Sequence, residues 1–237
     1  MTHSEARPRC LPSVSPGAHP RQILRLGIEA AGGPVGLACS FSVEDVVIVD
    51  LLQEAAPQTR VFALDTGRLP EETYEVAQAV ADRYRLTVHW YFPRRKDVER
   101  LERERGLYSF RESLENRHEC CHIRKVEPLG RALQGLGGWI TGLRRAQSPT
   151  RVHAAPLEID RLNGDILKIN PLLEWTDDQV WEYARSRHLP VNRLYRLGYR
   201  SIGCAPCTRP LRPGESPRAG RWWWEDPEHK ECGLHRR

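Results

Sequence analysis

No run of this 237-residue chain stays apolar for the roughly 20 residues that a membrane-spanning helix needs. The opening segment, MTHSEARPRCLPSVSPGAHP, lacks the apolar stretch of a secretory signal. No long block of lysine or arginine forms a nucleic-acid footprint, and no segment repeats. These absences argue against export, a membrane anchor and a nucleic-acid partner. The expectation is a cytoplasmic protein with a small-molecule ligand.

What is present is ordinary for a folded domain, with 40% hydrophobic and 28% charged residues. The 36 Lys and Arg are interspersed among 31 Asp and Glu, for a net charge of +5. That mild excess fits either a solvated mixed surface or a site for an anion. Seven cysteines without an export signal point to a reducing compartment. There they serve as ligands or nucleophiles rather than as disulfides. The length supports one large domain and leaves a homo-oligomer open.

Prolines at 8, 12, 16 and 20 predict a disordered leader over 1–20. An α/β domain is expected over 21–217, followed by a mobile C-terminal tail over 218–237. Between 33 and 95, short apolar runs alternate with helical patterns. GPVGLACS, TRVFALDTG and LTVHWYF read as strands, and VEDVVIVDLLQEA and PEETYEVAQAVADRYR as helices. This alternation predicts a mostly parallel twisted sheet with flanking helices. A charged stretch, 94–105, leads to a helical region from about 109 to 135. GGWITG and GDILKINPL read as a fourth and a fifth strand. Thr176 with Gln179 forms a capping-box pattern for a helix that Pro190 ends.

Three loops at strand ends could meet an anion. CSFSVED, residues 39–45, joins a strand to a helix, where free N–H groups and the hydroxyls of Ser40 and Ser42 suit a phosphate. Taken alone, the loop is better explained as a plain serine helix cap, and the G-K-[ST] ending of a Walker A loop is missing. LDTG, ending at Gly67, lies at the same carboxyl edge, where open α/β sheets bind ligands. TGLRRAQSPTR, residues 141–151, presents Arg144, Arg145 and Arg151 with three hydroxyl side chains after a buried strand. Arginine forks match phosphate or sulfate oxygens.

The cysteines carry the strongest signal. HECCHIRK holds Cys120 and Cys121, and IGCAPCT holds Cys204 and Cys207. Two compact pairs can enclose one metal site. Adjacent cysteines on a helix diverge by about 100°, which is awkward for one zinc ion but suits the separate corners of a 4Fe–4S cluster. Cys10 and Cys39 are expected to be non-ligands. Cys232, in the closing KECGLHRR, has cations around it and a glycine after it. That context fits a reactive thiol or an incidental one. For Trp222, Trp223 and Trp224, the reading is that alternate rings pack the base of the tail against the domain.

Taken together, CC and CxxC, SFSVED, LDTG, TGLRRAQSPTR, RWWWE and KECGLH resemble the assimilatory adenylyl-sulfate reductases of the adenylyl/phosphoadenylyl-sulfate reductase family. The resemblance runs from about residue 33 to 235. It implies an adenine-nucleotide α-hydrolase-like fold and one 4Fe–4S cluster on Cys120, Cys121, Cys204 and Cys207. Both cysteine pairs are present, which implies adenylyl sulfate rather than its 3′-phosphorylated form as substrate. Cys232 would be the nucleophile, and thioredoxin or a glutaredoxin-like donor would release sulfite from it.

By the same resemblance, Ser40 and Ser42 sit at the phosphate loop and Leu64 and Gly142 frame the adenosine. Arg151, Arg218 and Arg221 clamp the phosphosulfate, with Arg144 and Arg145 as further candidates. Lys125 lies between cluster and substrate, and His235 closes over the site. The rival readings are a phosphoadenylyl-sulfate reductase, a cluster-containing tRNA sulfur-insertion enzyme and a cluster-based redox sensor. SFSVED is not the SGGxDS-type loop of the second rival, and no recognition helix supports the third.

Overall fold

Alternation along one short strand defines the layers. The computed structural model describes residues 11–147, 151–226 and 234. In it β2 (Arg60–Leu64) sends Val61 and Ala63 into a large core and Phe62 into a smaller one, as period-two pleating requires. β1 (Val35–Ala38) pairs in parallel with β2 and with β4 (Gly138–Ile140). β3 (Val88–Tyr91) extends the sheet beyond β2, and β6 (Ile166–Ile169) extends it beyond β4, again in parallel. β5 (Leu157–Asp160) runs antiparallel to β6 at the edge, giving the order β3-β2-β1-β4-β6-β5. The mostly parallel sheet read from the sequence is therefore what forms. The chain runs out from β1 to β3, then returns to begin β4 beside β1. That reversal opens a crevice at the strands' carboxyl ends.

The large core gathers α1 (Pro20–Ala30), α2 (Val43–Ala55), α3 (Glu71–Tyr84) and α7 (Asp177–Ser186) on one face. α2 is buried over ten consecutive residues because α1 and α7 both pack on it. On the other face, Leu129, Ala132 and Leu133 of α6 (Glu127–Leu133) meet Phe62 and Trp139. α7 starts with the expected capping box, in which Thr176 Oγ1 accepts from the Gln179 N–H at 3.2 Å. No described helix is long and apolar enough to cross a membrane.

Five expectations need correction. Order begins before residue 21, because Leu11, Val14 and Ala18 pack against the large core and His19 caps α1. Residues 1–10 lie outside the described part. The charged stretch 94–105 is itself a helix, α4 (Arg95–Arg105). It buries only Leu101 and carries Arg95–Glu99 and Asp97–Arg100 ion pairs on its surface. The helical region after it is broken into a 3-10 turn (Ser109–Arg111), α5 (Leu114–Cys121), a π-helical turn (His122–Val126) and α6. β5 was not anticipated, so GDILKINPL supplies the sixth strand. The tail, too, leaves the domain later than position 218. Arg221 bridges Thr208, Arg209 donates its backbone N–H to the Gly220 carbonyl at 3.0 Å, and Trp222 is 1% exposed.

Candidate active site

A cavity of about 650 Å³ occupies the crevice between β1 and β4, a size that suits a nucleotide. Ser40, Ser42, Leu64, Gly142 and Arg144 line it from the strand ends, Lys125 from the π-helical turn, and Arg151, Arg218 and Arg221 from the surrounding loops. Eight of the nine expected substrate-binding residues thus share one space with Lys125. Arg145 does not line it. Its guanidinium pairs with Glu174 at 2.6 Å and donates to the carbonyls of Val152 and Ala154, pinning the loop from outside.

The loop after β1 is built differently from a simple phosphate cradle. Phe41 is buried at φ +59°, a left-handed conformation that bulky residues adopt only under constraint. This bend turns the Ser40 backbone N–H and hydroxyl toward Asp45 Oδ2, each at 2.6 Å. Burial pushes the Asp45 carboxyl up to about 6, against the lowering effect of the Ser40 hydrogen bonds. Ser40 therefore spends these donors on a buried acid rather than on the cavity. Ser42 makes no side-chain cap bond at the start of α2, so the plain-cap reading fails as well. Gly142 is required by contact, since a Cβ there would lie 2.2 Å from Asp45 Oδ1.

Arg144 is also committed. Its Nε and Nη2 donate to Glu44 Oε1 at 3.1 and 2.9 Å, and Nη2 pairs with Asp177. Gln147 donates to the same Glu44 oxygen at 2.8 Å and accepts from Arg151 Nη1 at 2.5 Å. The arginine-rich loop thus divides its labour. Arg144 and Arg145 hold it in place, and Arg151 stands in the cavity wall. At the opposite end Arg221 donates to Ser201 Oγ at 3.5 Å and to the Ile202 carbonyl at 3.3 Å. No carboxylate pairs with Arg221 among the described residues, and its guanidinium lies 4.5 Å from the centre of the Trp222 ring. A Cβ on Gly203 would sit 2.4 Å from that guanidinium.

Cys120, Cys121, Cys204 and Cys207 are buried and together line a second, small cavity with Arg68, Arg117, Arg124, Lys125, Phe110 and Trp222. The first pair ends α5, where the π-helical turn begins. The second pair flanks a 3-10 turn, with the Cys207 N–H on the Cys204 carbonyl at 2.9 Å. Burial raises the Cys204 thiol, but Lys125, the Thr66 hydroxyl, Arg221 and Arg124 outweigh it and the net shift is downward. Thr66 Oγ1 lies 3.3 Å from the Cys204 sulfur. Burial, then the neighbouring Cys204, pushes Cys207 up to about 12.

Among the described residues, no three His, Cys, Asp or Glu side chains converge on one metal ion. A single zinc would need its sulfurs within roughly 4 Å of each other. Four thiols spread around one cavity and ringed by cations suit a multi-iron cluster better, because its corners take one thiolate each. The Trp222 Nε1–H is buried without an acceptor among the described residues, as expected of a donor beside an absent acceptor group. The donor set therefore fits a 4Fe–4S cluster. Lys125, Cys204 and Trp222 border both cavities.

Residues 34–210 match the family described as phosphoadenosine phosphosulfate reductase domain. An adenosine 5′-phosphosulfate reductase of Burkholderia cepacia is 47% identical over 201 residues, covering 85% of this chain and 80% of the relative. One from Pseudomonas aeruginosa is 45% identical over 221 residues, covering 91% and 82%. A phosphoadenylyl-sulfate reductase structure from Candida auris, a phosphate complex, superposes with TM-score 0.69 at 28% identity, covering 81% of this chain and 91% of that one. The chain belongs to the adenylyl/phosphoadenylyl-sulfate reductase family. Like its relatives it is an oxidoreductase acting on sulfur. A Candida glabrata FMN adenylyltransferase (TM-score 0.57, 16% identity, covering 93% and 79%) shares the fold alone.

Cys232 and His235 lie outside the described residues. Leu234 between them is described, and it lines the large cavity and packs on the α6 layer. Trp222 is buried, Trp224 packs beside the cysteines and Trp223 is exposed, so alternate rings do face inward. The sequence reading passed over Glu44, Asp45, Gln147 and Thr66. Two adjacent acids inside a loop read as an anion cradle are a conflict visible in SFSVED, and that conflict was the available signal.

Proposed function

We propose that this protein reduces adenylyl sulfate to sulfite and AMP in the cytoplasm, as part of sulfate assimilation, with Cys232 as nucleophile. A thioredoxin or a glutaredoxin-like dithiol protein supplies the electrons. The observation that carries this reading is the place of Leu234. It lines the cavity that also holds Lys125, Arg151, Arg218 and Arg221, and two residues of chain keep Cys232 within about 7 Å of it. Relatives at 42–47% identity bear the names adenosine 5′-phosphosulfate reductase or 5′-adenylylsulfate reductase, which supports the choice of nucleotide.

The nucleotide lies across the strand ends, with its adenosine against Leu64 and Gly142 and its phosphosulfate toward Lys125 and the three arginines. The Cys232 thiolate attacks the sulfate sulfur. The bond from that sulfur to the bridging phosphate oxygen breaks, AMP leaves with the electron pair, and an S-sulfocysteine remains. An anion attacking an anion needs fixed positive charge, which Lys125, Arg151, Arg218 and Arg221 provide without reorganising. His235 closes over the site beside the thiol. A donor thiolate then attacks Cys232 Sγ, and sulfite departs with the pair of the broken S–S bond. The donor's second thiol resolves the mixed disulfide, so the donor ends as a disulfide and Cys232 as a thiolate. Cys120, Cys121, Cys204 and Cys207 would hold a 4Fe–4S cluster, which when bound supplies electrostatic and structural support rather than electrons.

The test is sulfite and AMP release from adenylyl sulfate with reduced thioredoxin, compared by kcat/KM with phosphoadenylyl sulfate. Turnover with a preference for adenylyl sulfate supports the proposal. Inactivity with a fully loaded cluster contradicts it.

A further inference from the structure

The last described turn before the chain runs on toward Cys232 is tied to both cysteine pairs at once. On one side, Trp222 donates its backbone N–H to the Cys207 carbonyl at 3.2 Å, and Arg221 bridges Thr208. On the other side α5 contributes Arg117, three positions before Cys120. Arg117 Nε and Nη2 donate to the two carboxylate oxygens of Glu225 at 2.9 and 2.8 Å. The Arg117 side chain is 0% exposed and that of Glu225 9%. The same guanidinium lies 4.8 Å from the centre of the Trp222 ring. A buried bidentate fork of this kind sets direction as well as distance.

Trp222 meanwhile sits at φ +39°. A bulky residue holds that conformation only where its surroundings enforce it. Substrate binding does not account for the arrangement, because neither Arg117 nor Glu225 lines the nucleotide cavity.

We propose that Arg117 and Glu225 are positioning residues for the thiol-transfer step. They fasten the root of the C-terminal segment to the walls of the cysteine cavity, so the reach of Cys232 depends on that cavity being intact. The inference rests on the reading of Cys232 as nucleophile. Glu225 and Cys232 are seven positions apart in the sequence, at most about 25 Å of extended chain. A short tether from a fixed root keeps the thiol concentrated near its target. A loosened root dilutes the thiol and costs it orientation.

Glu225→Gln keeps the side-chain shape and breaks the charged fork. Its expected phenotype is wild-type iron and acid-labile sulfide, wild-type KM for adenylyl sulfate, and a single-turnover rate of adduct formation on Cys232 lowered about tenfold. Glu225→Asp, which keeps the charge, recovers part of the rate. An unchanged single-turnover rate in Glu225→Gln overturns the proposal. So does a loss that merely follows the loss of iron or of nucleotide affinity.

A measurement on the wild type needs no variant. After iron is removed with a chelator, hydrogen exchange at the Trp222 and Glu225 amides is expected to accelerate together with residues 117–121, while α2 stays protected. Unaltered protection at Trp222 and Glu225 overturns the proposal. A wild type that forms no adduct on Cys232 sinks the nucleophile assignment instead, and the exchange result still decides whether the root is fastened to the cysteine cavity.

Discussion

Ser40 gives both its backbone N–H and its hydroxyl to one carboxylate oxygen of Asp45, each at 2.6 Å. The floor of the nucleotide cavity is thus held by a buried acid, with Gly142 packed against it because nothing larger fits.

This pair makes stability depend on pH. Burial raises the Asp45 carboxyl from 3.8 to about 6, equivalent to about 3 kcal/mol against the ionised form. The folded value lies above the unfolded one, so between about 4 and 6 the native state holds more protons. This group's contribution therefore falls as pH rises through that window, and its full cost applies above 6. Asp45→Asn is expected to gain about 2 kcal/mol on the wild type between about pH 4.5 and 7.5, read from urea denaturation at both. A difference that does not change with pH contradicts this.

Lys125 borders both cavities and lowers the neighbouring Cys204 thiol. Lys125→Ala is expected to reduce kcat/KM for adenylyl sulfate by about 10²- to 10³-fold, the usual loss of one charge-stabilising donor. Lys125→Arg should retain part of the activity. A change below about fivefold in Lys125→Ala removes Lys125 from the catalytic account.

Burial, then the neighbouring Cys204, pushes the Cys207 thiol up to about 12 and so disfavours its anion; holding it as a ligand needs the compensation of a bound cluster. Cys207→Ser is expected to lower iron and acid-labile sulfide to near zero and to remove the visible absorbance of the anaerobically purified protein. Full iron content in that variant excludes it as a ligand. A stoichiometric zinc content in the wild type excludes the cluster.

The elements that position the site were legible where local pattern and tertiary role agree. α2 was read with its observed bounds, since VEDVVIVDLLQEA is rich in Val, Ile and Leu and starts after a strand end. β1, β2, β3, β4 and β6 showed as short apolar runs. β5 was missed because LEID alternates over only four residues and belongs to an edge strand. α4 was missed because RKDVERLERER carries just two apolar positions and stands on surface ion pairs.

Within the site, residue types announced the cations and the cysteines but not how each cation is spent. Arg144, Arg145 and Arg151 look alike in sequence. Their partners Glu44, Glu174 and Gln147 come from α2, from the loop before α7 and from a neighbouring turn, so only folding separates the two structural arginines from the third. Arg117 and Glu225, 108 positions apart, carried no sequence signal at all.

The central claim, that Cys232 accepts the sulfuryl group, is tested most directly by intact-protein mass spectrometry during a single turnover with adenylyl sulfate and no reductant. The account predicts that the wild type gains one SO₃ group on Cys232 as AMP is released, that reduced thioredoxin discharges it as sulfite, and that Cys232→Ser gains nothing. An adduct on another cysteine, or sulfite formation by Cys232→Ser, would contradict it.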